Sequence, residues 1–166
     1  ITLEPDFANA HLNLGNTLLH LGKLRESEAS YRRAIRLKPD FAEAHSNLGI
    51  ILRDLGKLDE SEASLKKAIA SNPNFAAAHN NLGVTFKEQG RLDAAISSYL
   101  RAINLEADSY HAYDNLGLAL RGATFTEENP SLYPVLINLL TTGNFVRPSS
   151  VASPILSLLK QANLLE

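Results

Sequence analysis

The chain has 166 residues, 45% of them apolar, and its 16 basic and 18 acidic side chains leave a formal net charge of -2 with no cysteine. That length can bury a core, as one compact domain or as a repeat array, and so balanced a charge gives no long-range field to collect nucleic acid or anionic lipid. The missing cysteines exclude disulfides, thiolate zinc sites and cysteine nucleophiles. They leave the compartment open, with the cytoplasm preferred. No apolar run approaches the ~20 residues that cross a bilayer, and the first five residues, Ile-Thr-Leu-Glu-Pro, show no signal core, so no membrane partner is expected.

In chain order, Ile1, Leu3 and Pro5 align with Ile35, Leu37 and Pro39 at a period of 34 residues. Residues 1–7 therefore read as the end of a second helix from an upstream repeat, which makes the chain a fragment. The segments ITLEPDFANAHLNLG, IRLKPDFAEAHSNLG and IASNPNFAAAHNNLG then recur, carrying Pro5, Pro39 and Pro73, His11, His45 and His79, and Gly15, Gly49 and Gly83. Each unit predicts two helices: Ala10, Leu14 and Leu18 fall on one helical stripe, Leu24, Ala34 and Leu37 on the next, and Gly22 interrupts them. Gly22, Gly56 and Gly90 can take positive φ and close the first helix, and the proline ends the second. Gly15, Gly49 and Gly83 fall inside the first helix at about 1 kcal/mol each against alanine. Close approach of the partner helix, with Ala34, Ala68 and Ala102 as the small facing residues, is the expected compensation.

A fourth copy keeps Ala112, Tyr113, Asn115, Leu116 and Gly117, with Ala107 where proline is expected, and the register ends after Leu120. The array thus spans 8–120: three full repeats and the first helix of a fourth. Residues 121–166 read as a divergent helical cap. Asn129 and Pro130 open one helix with Leu132, Leu136, Leu139 and Leu140 on its stripe, and Ser153 and Pro154 open another with Ile155, Leu158, Leu159 and Ala162. A hinge to a further domain is the alternative reading of that tail.

An aromatic residue or histidine, Leu-Gly, a later alanine, an aromatic and a closing proline, met nearly throughout Phe7 to Asp108, resemble the tetratricopeptide repeat. The match covers about three-fifths of the chain; Ser27 and Ser61 depart from it where the family has alanine, as at Ala95. The resemblance implies an all-α fold, an α-solenoid of helix-turn-helix repeats with a C-terminal helical cap, and a scaffold that works by protein–protein interaction.

Candidate chemistry meets blander explanations. His11, His45 and His79 occupy equivalent places on successive first helices, ~8–10 Å or more apart, whereas zinc needs its ligands within about 2.1 Å. Packing is their expected role, and Tyr113 takes the same place in the fourth copy. Glu26, Glu28, Asp59, Glu60 and Glu62 sit near the starts of second helices, where the helix dipole favours them. No Gly-x-Ser-x-Gly elbow, serine–histidine–acid set or phosphate-cradling loop occurs, so neither an enzyme nor a cofactor is expected. Arg32, Arg33, Lys66, Lys67 and Arg101 are interspersed with acids and lack stacking aromatics, which argues against nucleic acid.

One asparagine recurs in every repeat, two residues before the glycine: Asn13, Asn47, Asn81 and Asn115. Asparagine is a mediocre helix former, so its place inside four predicted helices needs a reason. With Ala10, His11, Leu14 and Leu18 turned toward neighbouring helices, the opposite face holds Asn9, Leu12, Asn13 and Asn16, and in later repeats Ser46, Ile50, Asn80, Val84 and Asp114. In tetratricopeptide arrays that face lines the concave groove. An amide donates and accepts, so a ladder of them can grip the backbone of an extended polypeptide, about one clamp per three residues. The pattern resembles the asparagine-lined arrays of the O-linked N-acetylglucosamine transferase family, whose groove holds substrate polypeptide. The lysine and arginine clamp of chaperone-tail binders is missing, with Arg53 and Lys87 the groove-side cations. Peptide contacts are therefore expected from Asn13, Asn47, Asn81, Asn115, Asn9, Asn16, Ser46, Asn80 and Asp114. The alternatives are an assembly module that self-associates end to end, or the substrate-recruiting arm of a larger transferase.

Overall fold

The computed structural model describes residues 5–122, together with Leu156 and Lys160. Residues 5–122 form seven helices: α1 (Pro5–His20), α2 (Leu24–Leu37), α3 (Ala42–Asp54), α4 (Leu58–Ser71), α5 (Ala76–Glu88), α6 (Leu92–Leu105) and α7 (Tyr110–Gly122). Each helix packs on the next, and α3 also meets α5 as α5 meets α7. The odd-numbered helices therefore make one layer and the even-numbered helices a second behind it, an all-α repeat solenoid. The expected tail helices lie outside the described residues.

Local chemistry sets the two turns of each repeat. Gly22 and Gly56 take φ of 73° and 75°, the left-handed region where a Cβ is penalised. Beside them the Lys23 amide donates to the Leu18 carbonyl at 2.9 Å and the Lys57 amide to that of Leu52 at 2.8 Å, which satisfies carbonyls that the helix end would orphan. At the other turn, α2 and α4 stop just before Pro39 and Pro73. The loss of proline at Ala107 changes little: the Ser109 amide bonds the Glu106 carbonyl at 3.1 Å, the distance also found from Phe41 to Lys38 and from Phe75 to Asn72. α1 begins at Pro5, where the register of Ala42 and Ala76 would start it at Ala8. Proline suits a first turn because its missing N–H would be unpaired there anyway.

The interior glycines are covered by larger groups than the sequence suggests. A Cβ on Gly49 would stand 2.6 Å from Leu65 Cγ, and one on Gly83 would stand 2.5 Å from Tyr99 Cε1; Tyr31 closes over Gly15 in the same way. Ala34, Ala68 and Ala102 are fully buried, but the side chain three residues earlier on each second helix is what fills the glycine notch. Ser27 and Ser61, the departures from the family pattern, donate to the carbonyls of Gly15 at 2.8 Å and Gly49 at 2.7 Å. Each buried hydroxyl is thereby satisfied across the helix pair, as burial requires. His45 and His79 close onto the carbonyls of Pro39 at 2.8 Å and Pro73 at 3.0 Å, so the ring ties the first helix to the turn before it.

The acids of the second helices bridge repeats. Glu28 binds Arg32 at 2.9 Å and Lys57 at 3.2 Å, and one period later Glu62 binds Lys66 at 2.7 Å and Arg91 at 2.8 Å. Arg32 also reaches Glu60 on α4 at 2.9 Å. Burial raises the Glu28 carboxyl, but hydrogen bonds from Arg32 and Lys57 outweigh it and hold it below its ordinary range. The hydrogen bond from Lys66 does the same for Glu62 against a smaller burial effect. At the amino end, the outward stripe of α1 is open: Leu14 is 47% exposed, whereas its counterpart Leu48 is 5% exposed. No helix among the described residues is long and apolar enough to cross a membrane.

Candidate functional site

The odd-numbered helices present the asparagines, because turning the apolar stripe of each toward the second layer leaves the opposite face to polar residues. Asn13 and Asn9 on α1 and Asp114 on α7 are exposed, while Asn16, Asn47, Asn80, Asn81 and Asn115 are half-buried. Ser46 differs: at 2% exposure its side chain is inside the wall, because α3 is covered on both sides. A ligand on the surface meets its neighbours instead.

The ladder divides into two kinds of rung. Asn47 donates from Nδ2 to Asn16 Oδ1 at 2.9 Å, and the Tyr31 hydroxyl donates to that same oxygen at 2.8 Å. Three helices, α1, α2 and α3, thus meet at one amide. Asn115 likewise donates to Asn80 Oδ1 at 3.1 Å, joining α7 to α5. Asn13 and Asn81 engage only through their backbone carbonyls, which accept from Thr17 at 3.0 Å and Thr85 at 3.1 Å. Their side-chain amides keep every donor and acceptor site for another molecule.

Two features of this face escape a reading by residue type. Tyr99 stands one double period after Tyr31, but Val84 occupies the place of Asn16, so the buried Tyr99 hydroxyl has no hydrogen-bond partner. Burial holds that phenol well above its ordinary range, with the charges of Arg53 and Glu88 adding smaller, opposed effects. Aligning the 34-residue units at both positions together would have shown the mismatch. Arg53, expected among the groove-side cations, is tied to Asp54 at 2.8 Å and faces Glu88 at 3.6 Å. Its charge is therefore largely spent within the face. Along the same face Ile50 and Val84 are half-buried and Leu118 is 54% exposed, an apolar row in place of the Asn16 amide.

Comparison with known proteins follows the same lines. A family model described as tetratricopeptide repeat matches residues 47–112, and a second, described as TPR repeat, matches 15–52. A search of curated proteins gives no match. Among solved structures, the chain is similar to the first such domain of Spaghetti (RPAP3) bound to the HSP90 peptide SRMEEVD, with a TM-score of 0.70 and 21% identity over 74% of this chain and 97% of that one. It is similar to an O-GlcNAc transferase mutant from Thermobaculum terrenum, with a TM-score of 0.70 and 24% identity over 80% of this chain but 25% of that one. It also resembles the second such domain of human RPAP3 in complex with the HSP70 peptide SGPTIEEVD, with a TM-score of 0.66 and 21% identity over 70% of this chain and 98% of that one. At these identities the likeness is one of fold.

Proposed function

We propose that this chain, which belongs to the tetratricopeptide-repeat family, is a protein-binding scaffold that holds an extended polypeptide along the asparagine face of its odd-numbered helices. The observation that carries the reading is the row of side-chain amides at one repeat position, with Asn13 and Asn81 free of any side-chain hydrogen bond. A free carboxamide offers an acceptor and two donors, the complement of a backbone C=O and N–H. Neighbours of this fold in complex with chaperone peptides support a polypeptide as the class of ligand.

An acidic chaperone tail is a poor fit here, because the Arg53 charge is taken by Asp54 and Glu88. The similarity to the transferase arm supports a substrate-recruiting role within a longer protein, the chemistry then belonging to a domain elsewhere. Peptides selected on the chain from a random dodecamer display library, then titrated by calorimetry against Asn13→Ala and Asn81→Ala, test the clamp. Each variant should weaken the selected peptides several-fold; unchanged affinity in the double variant rejects the face as the site.

A second reading has its own observation. The open stripe on α1, with Ala10 exposed and Leu14 at 47%, has the register of surfaces that α2 and α4 cover on α3 and α5. Solenoid repeats bury such stripes by stacking, so an assembly role through end-to-end contact is the alternative.

A further inference from the structure

We propose, building on the groove reading above, that the polypeptide held on this face is a neutral-to-basic segment in polyproline II conformation with an aliphatic side chain at every third residue, seated on Ile50, Val84 and Leu118. These three residues share one repeat position on α3, α5 and α7, and all retain accessible apolar surface on the asparagine face. Because α3 packs on α5 and α5 on α7, successive members of the row lie about one helix-packing distance apart, ~8–10 Å. A polyproline II chain turns once in three residues and rises ~3.1 Å per residue, so side chains three apart share a face at ~9.3 Å. A β-strand would point the third residue away. The row therefore selects the conformation as well as the side chain.

The amides serve the same ligand. A polyproline II backbone makes no internal hydrogen bonds, so its N–H and C=O groups are available to Asn81, whose amide is unengaged beside the row. Asn47 and Asn115 have already committed a donor to Asn16 and Asn80. Charge completes the specification. Among the described side chains this face carries Glu43, Asp54, Glu88 and Asp114 against Arg53 and Lys87, and Arg53 is paired within it. An acidic segment is repelled, and basic flanks are attracted.

The test uses the full chain and three fluorescein-labelled dodecapeptides followed by fluorescence anisotropy. The first repeats Leu-Pro-Ser between lysine ends, the second has serine for each leucine, and the third keeps leucine but has glutamate ends. The first should bind at least ~10-fold tighter than the second, since three aliphatic side chains leave water, and the third should bind several-fold more weakly at low salt. Leu118→Ser, at an exposed position that folding tolerates, should cost ~10-fold for the first peptide, as should Val84→Asp, with circular dichroism verifying its helices. Lys67→Glu, on the second layer, should change nothing. Equal binding of the leucine and serine peptides, both weakened by Asn81→Ala, overturns this inference and leaves the backbone clamp standing. Binding indifferent to Asn81→Ala, Val84→Asp and Leu118→Ser overturns both. Failure of all three peptides to bind overturns the inference.

Discussion

Deleting one oxygen at two equivalent places in the array should move stability in opposite directions. Tyr31 and Tyr99 are both fully buried, and their rings fill the same notch over Gly15 and Gly83. The Tyr31 hydroxyl donates to Asn16 at 2.8 Å; that of Tyr99 meets no partner. Tyr31→Phe removes a hydrogen bond but leaves Asn16 accepting from Asn47, so a loss of about 0.5–1.5 kcal/mol is expected. Tyr99→Phe removes a buried group that was stripped of water without compensation, a penalty of about 1–3 kcal/mol, so the variant should be more stable by about 1–2 kcal/mol. Urea denaturation at neutral pH followed by circular dichroism measures both, with hydrogen exchange assigning each change to its own repeat, because repeat arrays need not unfold as one unit. A destabilised Tyr99→Phe equal to Tyr31→Phe would refute the argument, since it would mean that the Tyr99 hydroxyl is satisfied after all.

Three further outcomes follow from the packing and the charges. Gly49→Ala gains about 1 kcal/mol of helix propensity but drives a methyl to 2.6 Å from Leu65 Cγ, an overpacking cost of about 1–3 kcal/mol; thermal melts should show a net loss, and a double-mutant cycle should show that loss to be smaller on a Leu65→Ala background than in the parent chain. The Glu28 and Glu62 carboxyls titrate below their ordinary range in the fold, so the stability they lend is present above about pH 4.3 and is lost as pH falls through the lowered values. Glu28→Gln with Glu62→Gln should flatten that acid slope in urea midpoints read from pH 6 to 3, roughly the carboxylate range. Sedimentation velocity should show concentration-dependent self-association that Leu14→Glu abolishes; a monomer at every concentration would reject the stacking role.

The helices and turns were legible because the 34-residue period repeats the same signals, with Gly22, Gly56 and Gly90 at one turn and Pro39 and Pro73 at the other, although Pro5, in the same register, lies inside the first turn of α1. The asparagine face was legible for the same reason, since a helical period fixes which side chains share a side. What the period does not encode is reach. The ring of Tyr31, three residues before Ala34, is what closes over Gly15, and Ser46 sinks into the wall while Asn47 beside it does not. Pairing was hidden too, because whether an amide is free depends on its neighbour in the next repeat: Asn47 has Asn16 to bond, and Asn81, facing Ile50 in that role, does not.

The bridges from Glu28 to Lys57 and from Glu62 to Arg91 lie along the back of the solenoid, each spanning one repeat boundary. Placed there, they act as tension members. A load that closes the asparagine face must spread the back, and these contacts resist it, while salt screens partly exposed ion pairs. Stiffness that follows ionic strength is the expected consequence, and small-angle scattering should record a broader spread of curvature at 1 M salt, where the Debye length is about 3 Å.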